Sequence, residues 1–286
     1  MTTGPRGTLD AGIVGATVGP MTHTLDARWL MAYAAALGET DARYFDTLGA
    51  DGPLAHPLFP VCYEWPVAVA LRDKTVPADL QPQSVHATHY LVLHRAPRAG
   101  DTLHTTARVM YVAPRRAGTL VVSRFETVDA RGDRVSTTDY GSVYRDVAFA
   151  GTPTGNRQPE ASAPGPDAVD WQEQVDVAAN AAWVYTECAR IWNPIHTDVA
   201  VARRAGLSAP ILHGTATLAL AVSRVIARAL GGEPRSAREI SARFTGMVVM
   251  PSTFTVRGRG THGGRLAFDA LGEGGAPILS QGVVTT

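Results

Sequence analysis

Between residues 185 and 219 the chain reads YTECARIWNPIHTDVAVARRAGLSAPILHGTATLA, and several groups able to do chemistry fall close together there. Asn193, His196 and Asp198 follow one another at short spacing, and His213-Gly214 opens the most helix-like apolar pattern in the chain. A neutral imidazole is basic enough to take a proton near pH 7, which makes His196 the candidate base. A helix start presents unpaired N–H groups and the positive end of the peptide dipoles, so the Gly214 amide is a candidate to hold a developing oxyanion. Structural roles compete with these readings. Asn-Pro favours turn initiation, so Asn193 stands equally as scaffold and as a holder of water. His213 stands equally as a pocket wall and as a buried histidine bonded to backbone. Asp198 reads as the N-cap of a short helix over 199–205.

These residues need elements to position them. Residues 215–230 carry apolar side chains at helical spacing, with Arg224 and Arg228 on the other face, and Gly231-Gly232 stops the helix. In the first half, 86–94, 102–111, 119–128 and 135–144 alternate as strands between turns at Gly100, Gly118 and Gly132. In the second half, 241–250, 253–259, 265–271 and 278–284 repeat that pattern. The class is therefore α+β, with an antiparallel sheet laid on a long helix in each half.

The two halves also align with each other. Tyr33 matches Tyr185, Asp41 matches Asn193 and Asp46 matches Asp198, each pair 152 residues apart. One residue of slip then places Pro57-Leu58-Phe59 against Pro210-Ile211-Leu212. Such a set argues for internal duplication. Residues 151–170, rich in Pro, Gly, Ala and Ser, read as the linker between domains at 1–150 and 171–286.

Bulk composition narrows the partners. Lysine plus arginine and aspartate plus glutamate each number 26, which gives no basic surplus for nucleic acid. Cys62 and Cys188 are the only cysteines, too few for a disulfide framework or a Cys-based zinc site, and they suit a cytoplasmic setting. His86, His89 and His94 lie along one strand but share no carboxylate, so solvated strand histidines are expected and no metal. The opening residues lack a signal-peptide pattern, and no apolar run is long enough for a membrane span.

The 185–219 segment closely resembles the hydratase-2 signature of MaoC-like proteins. Tyr185, Asn193, Pro194, His196, Asp198, Gly206, Pro210, Ile211, His213 and Gly214 all fall on its pattern. The resemblance implies a tandem, or double, hotdog fold in which the first half is a degenerate copy. It also implies the reversible hydration of a 2-enoyl thioester to the (R)-3-hydroxyacyl thioester. His196 and Asn193 would then handle the water, and the Gly214 N–H would polarise the thioester carbonyl. Substrate contacts are expected from Tyr185, His213 and Thr215. Arg203 and Arg243 are among the arginines expected to meet coenzyme A phosphates. No cofactor is required; the partner is an acyl-CoA or acyl-carrier-protein thioester, and association into a homodimer is a further expectation.

One position departs from the pattern. Where the signature carries its catalytic Asp, this chain has Ile191, preceded by Arg190 instead of Gly. Losing one of an acid–base pair costs roughly 10²–10⁴ in rate. Glu187, one helical turn earlier, and Glu64, from the first-half helix, are the candidate substitutes, and Glu39 aligns with the missing Asp. Three functions therefore stand: a hydratase or dehydratase with His196 as base, a single-base double-bond isomerase or tailoring dehydratase, and a non-catalytic acyl-binding subunit.

Overall fold

The computed structural model describes residues 5–156 and 168–286, with only the backbone described at His262. In chain order the first half contains β1 (Thr8–Asp10), β2 (Thr17–Thr24), α1 (Ala27–Ala36), α2 (Pro60–Thr75), β3 (Ser84–Leu93), β4 (Thr102–Arg115), β5 (Gly118–Asp129), β6 (Arg134–Arg145), β7 (Ala148–Ala150) and β8 (Thr154–Gly155). The second half contains β9 (Trp171–Val177), α3 (Ala181–Ala189), α4 (Val199–Arg204), α5 (Gly214–Ala229), β10 (Glu239–Phe244), β11 (Ser252–His262), β12 (Arg265–Leu271) and β13 (Pro277–Thr285).

The duplication expected from the sequence governs the sheet. One half runs β2-β4-β5-β6-β3, and the other continues β10-β13-β12-β11-β9, so each half repeats the same strand order as a mirror of its partner along one continuous sheet. The halves join where β3 pairs antiparallel with β10, Leu91 opposite Ile240 and Tyr90 opposite Ser241. Each half wraps its sheet around a long helix, α2 in one and α5 in the other. This is the tandem hotdog arrangement, with two halves fused edge to edge.

Helix α5 forms because small and apolar residues dominate it, and Ala216 through Ala219, Ala221 and Val222 are buried. It ends where Gly231 and Gly232 turn left-handed (φ +60° and +75°), which lets the Gly232 N–H bond the Ile226 carbonyl at 3.0 Å. The strand expected over 241–250 stops at Phe244. There the Thr245 and Gly246 amides both turn to the Ile278 carbonyl, and Val249 instead bridges Ile211 beside the candidate site.

Other boundaries differ from expectation. Strands β2 and β9, at the two ends of the long sheet's strand order, lie outside the expected strands; β2 does not alternate cleanly, β9 has only its last apolar residues buried, and each takes its pairing from a longer neighbour. Of the expected linker, Thr154–Gly155 pairs with β4, while 157–167 lie outside the described residues. His86 and His89 are not solvated strand histidines. Strand β3 sits mid-sheet, and His89 is buried against His86 and Tyr140.

Candidate active site

The signature loop runs from the end of α3 to the start of α5. Helix α3 closes on Arg190 with φ +59°, a left-handed conformation that costs a side-chain-bearing residue about 1 kcal/mol or more. The Arg190 guanidinium compensates by lying over the Trp29 ring at 4.1 Å, with Asp26 3.6 Å away. The turn then delivers Ile191 inward, where its side chain is buried. Asn193 precedes a short 3-10 turn, Pro194–His196, and its side chain makes no capping bond. Asp198 caps α4 as expected, accepting from the Val201 amide at 3.0 Å.

His196 is buried, and its Nδ1 lies 2.8 Å from the Ile211 carbonyl. A carbonyl can only accept, so Nδ1 carries the proton and Nε2 keeps its lone pair. Burial pulls the His196 pKa down to about 4, which leaves the ring neutral at pH 7. The His213 ring stacks on it, centroids 3.7 Å apart. His213 Nε2 approaches the Ile191 carbonyl at 3.4 Å and Thr186 Oγ1 at 3.3 Å. Its Nδ1 is buried without a partner among the described residues. Burial first, and His196 second, hold the His213 pKa well below the ordinary value.

Both imidazoles border a cavity of about 480 Å³. Ile191, Asn193, Gly214 and Thr215 share this wall, together with Phe244. Helix α5 starts there with no side-chain cap, so its first amides point to the cavity unclaimed. A side chain at 214 would crowd the Phe244 ring, since a Cβ placed there meets Cε1 at 3.2 Å. From this end the cavity runs along one face of α2, past Val61, Trp65, Ala68, Leu71 and Thr75, into the first half. These positions recur at helical spacing and give the passage a largely apolar wall.

The structure brings His196, Asn193, Gly214, His213 and Thr215 together on the cavity. It places the other candidates elsewhere. Tyr185 stands one layer behind, fully buried, with its ring 4.9 Å from His213 and its hydroxyl donating to Thr215 Oγ1 at 3.1 Å. Glu187 points to solvent from the outer face of α3, because the helix ends at Ala189 and the left-handed Arg190 carries Ile191 inward, off the face that Glu187 occupies. Arg203 is exposed on α4 and does not border the cavity; Arg243 borders a neighbouring one. Glu64 is fully buried off the cavity, accepting from Thr138 Oγ1 at 2.5 Å and from the Tyr140 hydroxyl at 2.9 Å. Burial lifts its pKa to about 7, against the pull of those two bonds. Tyr140, which does border the cavity, carried no sequence signal, since a strand tyrosine has many ordinary uses.

The first half has closed its equivalent site. Glu39, aligned with Ile191, accepts from Ser223 Oγ of α5. Ser223 in turn meets His56 Nε2 at 3.1 Å, and the Leu58 amide donates to His56 Nδ1. That last bond fixes the proton on Nε2, so the relay runs from His56 through Ser223 to Glu39. His56 is fully buried, its ring stacked on Tyr44, and no member of the relay borders the cavity.

Comparison with known proteins agrees with this geometry. Residues 162–269 match the MaoC like domain, and residues 12–138 match the FAS1-like, dehydratase domain region. Peroxisomal multifunctional enzyme type 2 of Drosophila melanogaster is 29% identical over 178 residues, which is 60% of this chain and 29% of that enzyme. Enoyl-CoA hydratase 2, peroxisomal, of Arabidopsis thaliana is 42% identical over 53 residues, 18% of this chain and 17% of the plant enzyme. The chain thus spans well under two thirds of the length of either relative. A MaoC-like dehydratase from Phytophthora capsici superposes with a TM-score of 0.81 at 22% identity, covering 96% of this chain and 95% of its own. The second half thus carries a MaoC like domain and the first a FAS1-like dehydratase region, and the two share the double hotdog fold of MaoC-like proteins.

Proposed function

We propose that this protein is a hydro-lyase acting on acyl thioesters, adding water reversibly to a 2-enoyl thioester to give the (R)-3-hydroxyacyl thioester. The observation that carries this reading is the pairing of His196 Nε2, unprotonated and without a partner among the described residues, with the uncapped start of α5 on one cavity wall. The name of the plant relative, an enoyl-CoA hydratase, supports coenzyme A as the carrier.

In this reading the thioester carbonyl points at the Gly214 and Thr215 amides, and the acyl chain follows α2. The Asn193 side chain holds a water beside His196. As the water oxygen bonds C3, its proton passes to His196 Nε2, and the alkene electrons move through C2 onto the carbonyl oxygen. The helix start stabilises that enolate. The imidazolium then returns the proton to C2, so one base closes the cycle and no second acid is needed. Fixing water, base and alkene within one cavity supplies much of the rate through proximity.

A second reading rests on Ile191: no carboxylate borders the cavity among the described residues. A double-bond isomerase needs only one base and an oxyanion site. The test is a panel of enoyl and 3-hydroxyacyl thioesters, short, branched, long and aromatic, incubated with purified protein and read by mass spectrometry. Gain or loss of one water supports the hydro-lyase. Double-bond migration at constant mass supports the isomerase, and binding without turnover rejects both.

A further inference from the structure

The cavity beside His196 adjoins a second one of about 410 Å³, the two sharing Ala87, Ala117, Val143, Phe244 and Thr245 as walls. Across both, every charged lining residue is arginine: Arg72 and Arg145 in the first, Arg115, Arg116 and Arg243 in the second. Among the described residues no aspartate or glutamate borders either, in a chain with as many acidic as basic residues. A surface with balanced charges scattered at random seldom segregates them so completely around one depression.

Arg72 and Arg145 are the informative pair. The Nε of each is buried and lacks a hydrogen-bond acceptor among the described residues. The carboxylate recorded near Arg72 belongs to its exposed neighbour Asp73, 4.0 Å away and beyond bonding range. The Arg72 guanidinium leans toward the Trp65 ring, 5.9 Å from its centroid, which stiffens it on the cavity wall. A buried guanidinium nitrogen without a partner costs free energy unless a ligand supplies the missing acceptor. Among the described residues no acceptor reaches either Nε; the nearby Thr75 Oγ1 and Gln81 Nε2 are directed at the Leu71 and Val76 carbonyls instead.

Position along the helix gives the length of the ligand. Val61 opens the α2 wall and Arg72 stands eleven residues on, about 16 Å further at the helical rise. We infer that this end of the cavity is an anion subsite, where Arg72 and Arg145 grip a phosphate or carboxylate that the substrate carries remote from its reacting carbons. The inference rests on the proposed function only for which end is reactive. Two sources offer that anion: the phosphates of the coenzyme A carrier, and the terminal carboxylate of a long dicarboxylic acyl chain.

Two measurements test it. In the first, inorganic pyrophosphate and, separately, a linear aliphatic dicarboxylate are titrated calorimetrically at low salt into the intact protein. The comparison variants are Arg72→Met, Arg145→Met, their combination, and His196→Ala. Binding of at least one probe that weakens about tenfold or more in the double variant, yet persists in His196→Ala, is the expected result. This arm is independent of turnover, so it stands even where the hydro-lyase reading fails. In the second, KM is compared among an enoyl-CoA, the matching enoyl-pantetheine, and an enoyl-pantetheine bearing a terminal carboxylate. A preference for the CoA ester that the double variant loses assigns the site to carrier phosphate. A preference for the carboxylate-bearing pantetheine that the double variant loses assigns it to the acyl tail. Equal probe binding by the wild type and a folded double variant overturns the inference.

Discussion

The hydroxyls of Tyr33 and Tyr185 lie 3.3 Å apart, fully buried, where α1 and α3 cross. The two residues occupy matching positions in the halves, so a pair of duplicates touches itself at the centre of the molecule. Tyr33 also reaches the Leu58 carbonyl at 3.3 Å, and Tyr185 donates to Thr215 at the mouth of α5. A chain of hydroxyls therefore runs from the closed half to the open one. Tyr185→Phe strands the Thr215 hydroxyl and removes the bond to Tyr33. A loss of about 1–3 kcal/mol is expected in urea unfolding, with a smaller loss for Tyr33→Phe, which retains the Tyr185–Thr215 bond. Equal stability of both variants and the wild type counts against a working chain.

His196→Ala removes the base that the proposed cycle uses, the imidazole whose Nε2 the Ile211 bond leaves unprotonated on the cavity. Turnover should fall by about 10²–10⁴ while circular dichroism stays native. Glu187→Gln should stay within about tenfold, or roughly 1.4 kcal/mol of barrier, because its carboxylate points to solvent. A loss beyond a hundredfold in folded Glu187→Gln refutes the assignment of His196 as sole base.

The sequence carried the repeat, the signature loop and the central helices because each rests on local pattern. Tyr33 and Tyr185, Asp198 as a cap, and Gly231-Gly232 as a stop are all readable within a few residues. Contacts between halves were not readable. Glu39 aligned with Ile191, yet its fate was decided by Ser223 from the other half and by His56, whose position matches nothing in the signature. Glu64 was a fair candidate by chain position, but two hydroxyls from β6 turn it away from the cavity and leave Tyr140 facing it. Edge strands β2 and β9 escaped notice for a related reason: their pairing partners define them more than their own residues do.

The acid limb of activity should sit low. Burial holds the His196 pKa near 4, so kcat/KM should remain flat from neutral pH down to about 5 and decline below it. Stability should fall earlier. His56, His86 and His196, at about 3, 4 and 4 when folded, return to the ordinary histidine value near 6.5 on unfolding. The unfolded chain therefore binds more protons, and stability drops as pH falls from about 6.5 toward 4. Glu64 acts oppositely, since its raised pKa makes the folded state the stronger proton binder between about 4.5 and 7, and Glu39 is raised by burial too, but the histidines held low, with His23, His89, His94 and His213 beside those three, outnumber them. Urea midpoints measured from pH 7 to 4.5, beside kcat/KM over the same range, check both statements. A kcat/KM decline centred near 6.5 in still-folded protein contradicts the buried neutral base.

Ile191→Asp asks whether the missing acid can be restored. The Ile191 side chain is buried on the cavity wall, and its carbonyl already faces His213. An aspartate there places a carboxylate beside two stacked imidazoles whose pKa values burial now depresses. An opposite charge at that range favours the protonated rings, so the acid limb of kcat/KM should move up from near 4 by a unit or more, about 1.4 kcal/mol per unit. The carboxylate also gives water a second holder, and hydration kcat should rise, by about tenfold or more if one acid–base partner is recovered. Stability should fall at high pH, where a buried carboxylate faces neutral rings, and recover as pH drops and a ring protonates. Ring protonation can be followed directly by imidazole NMR in the single variant and in Ile191→Asn, which matches the shape without the charge. If Ile191→Asp and Ile191→Asn share one acid limb and one kcat, position 191 does not communicate with His196, and the single-base cycle works without any vestige of the family's acid.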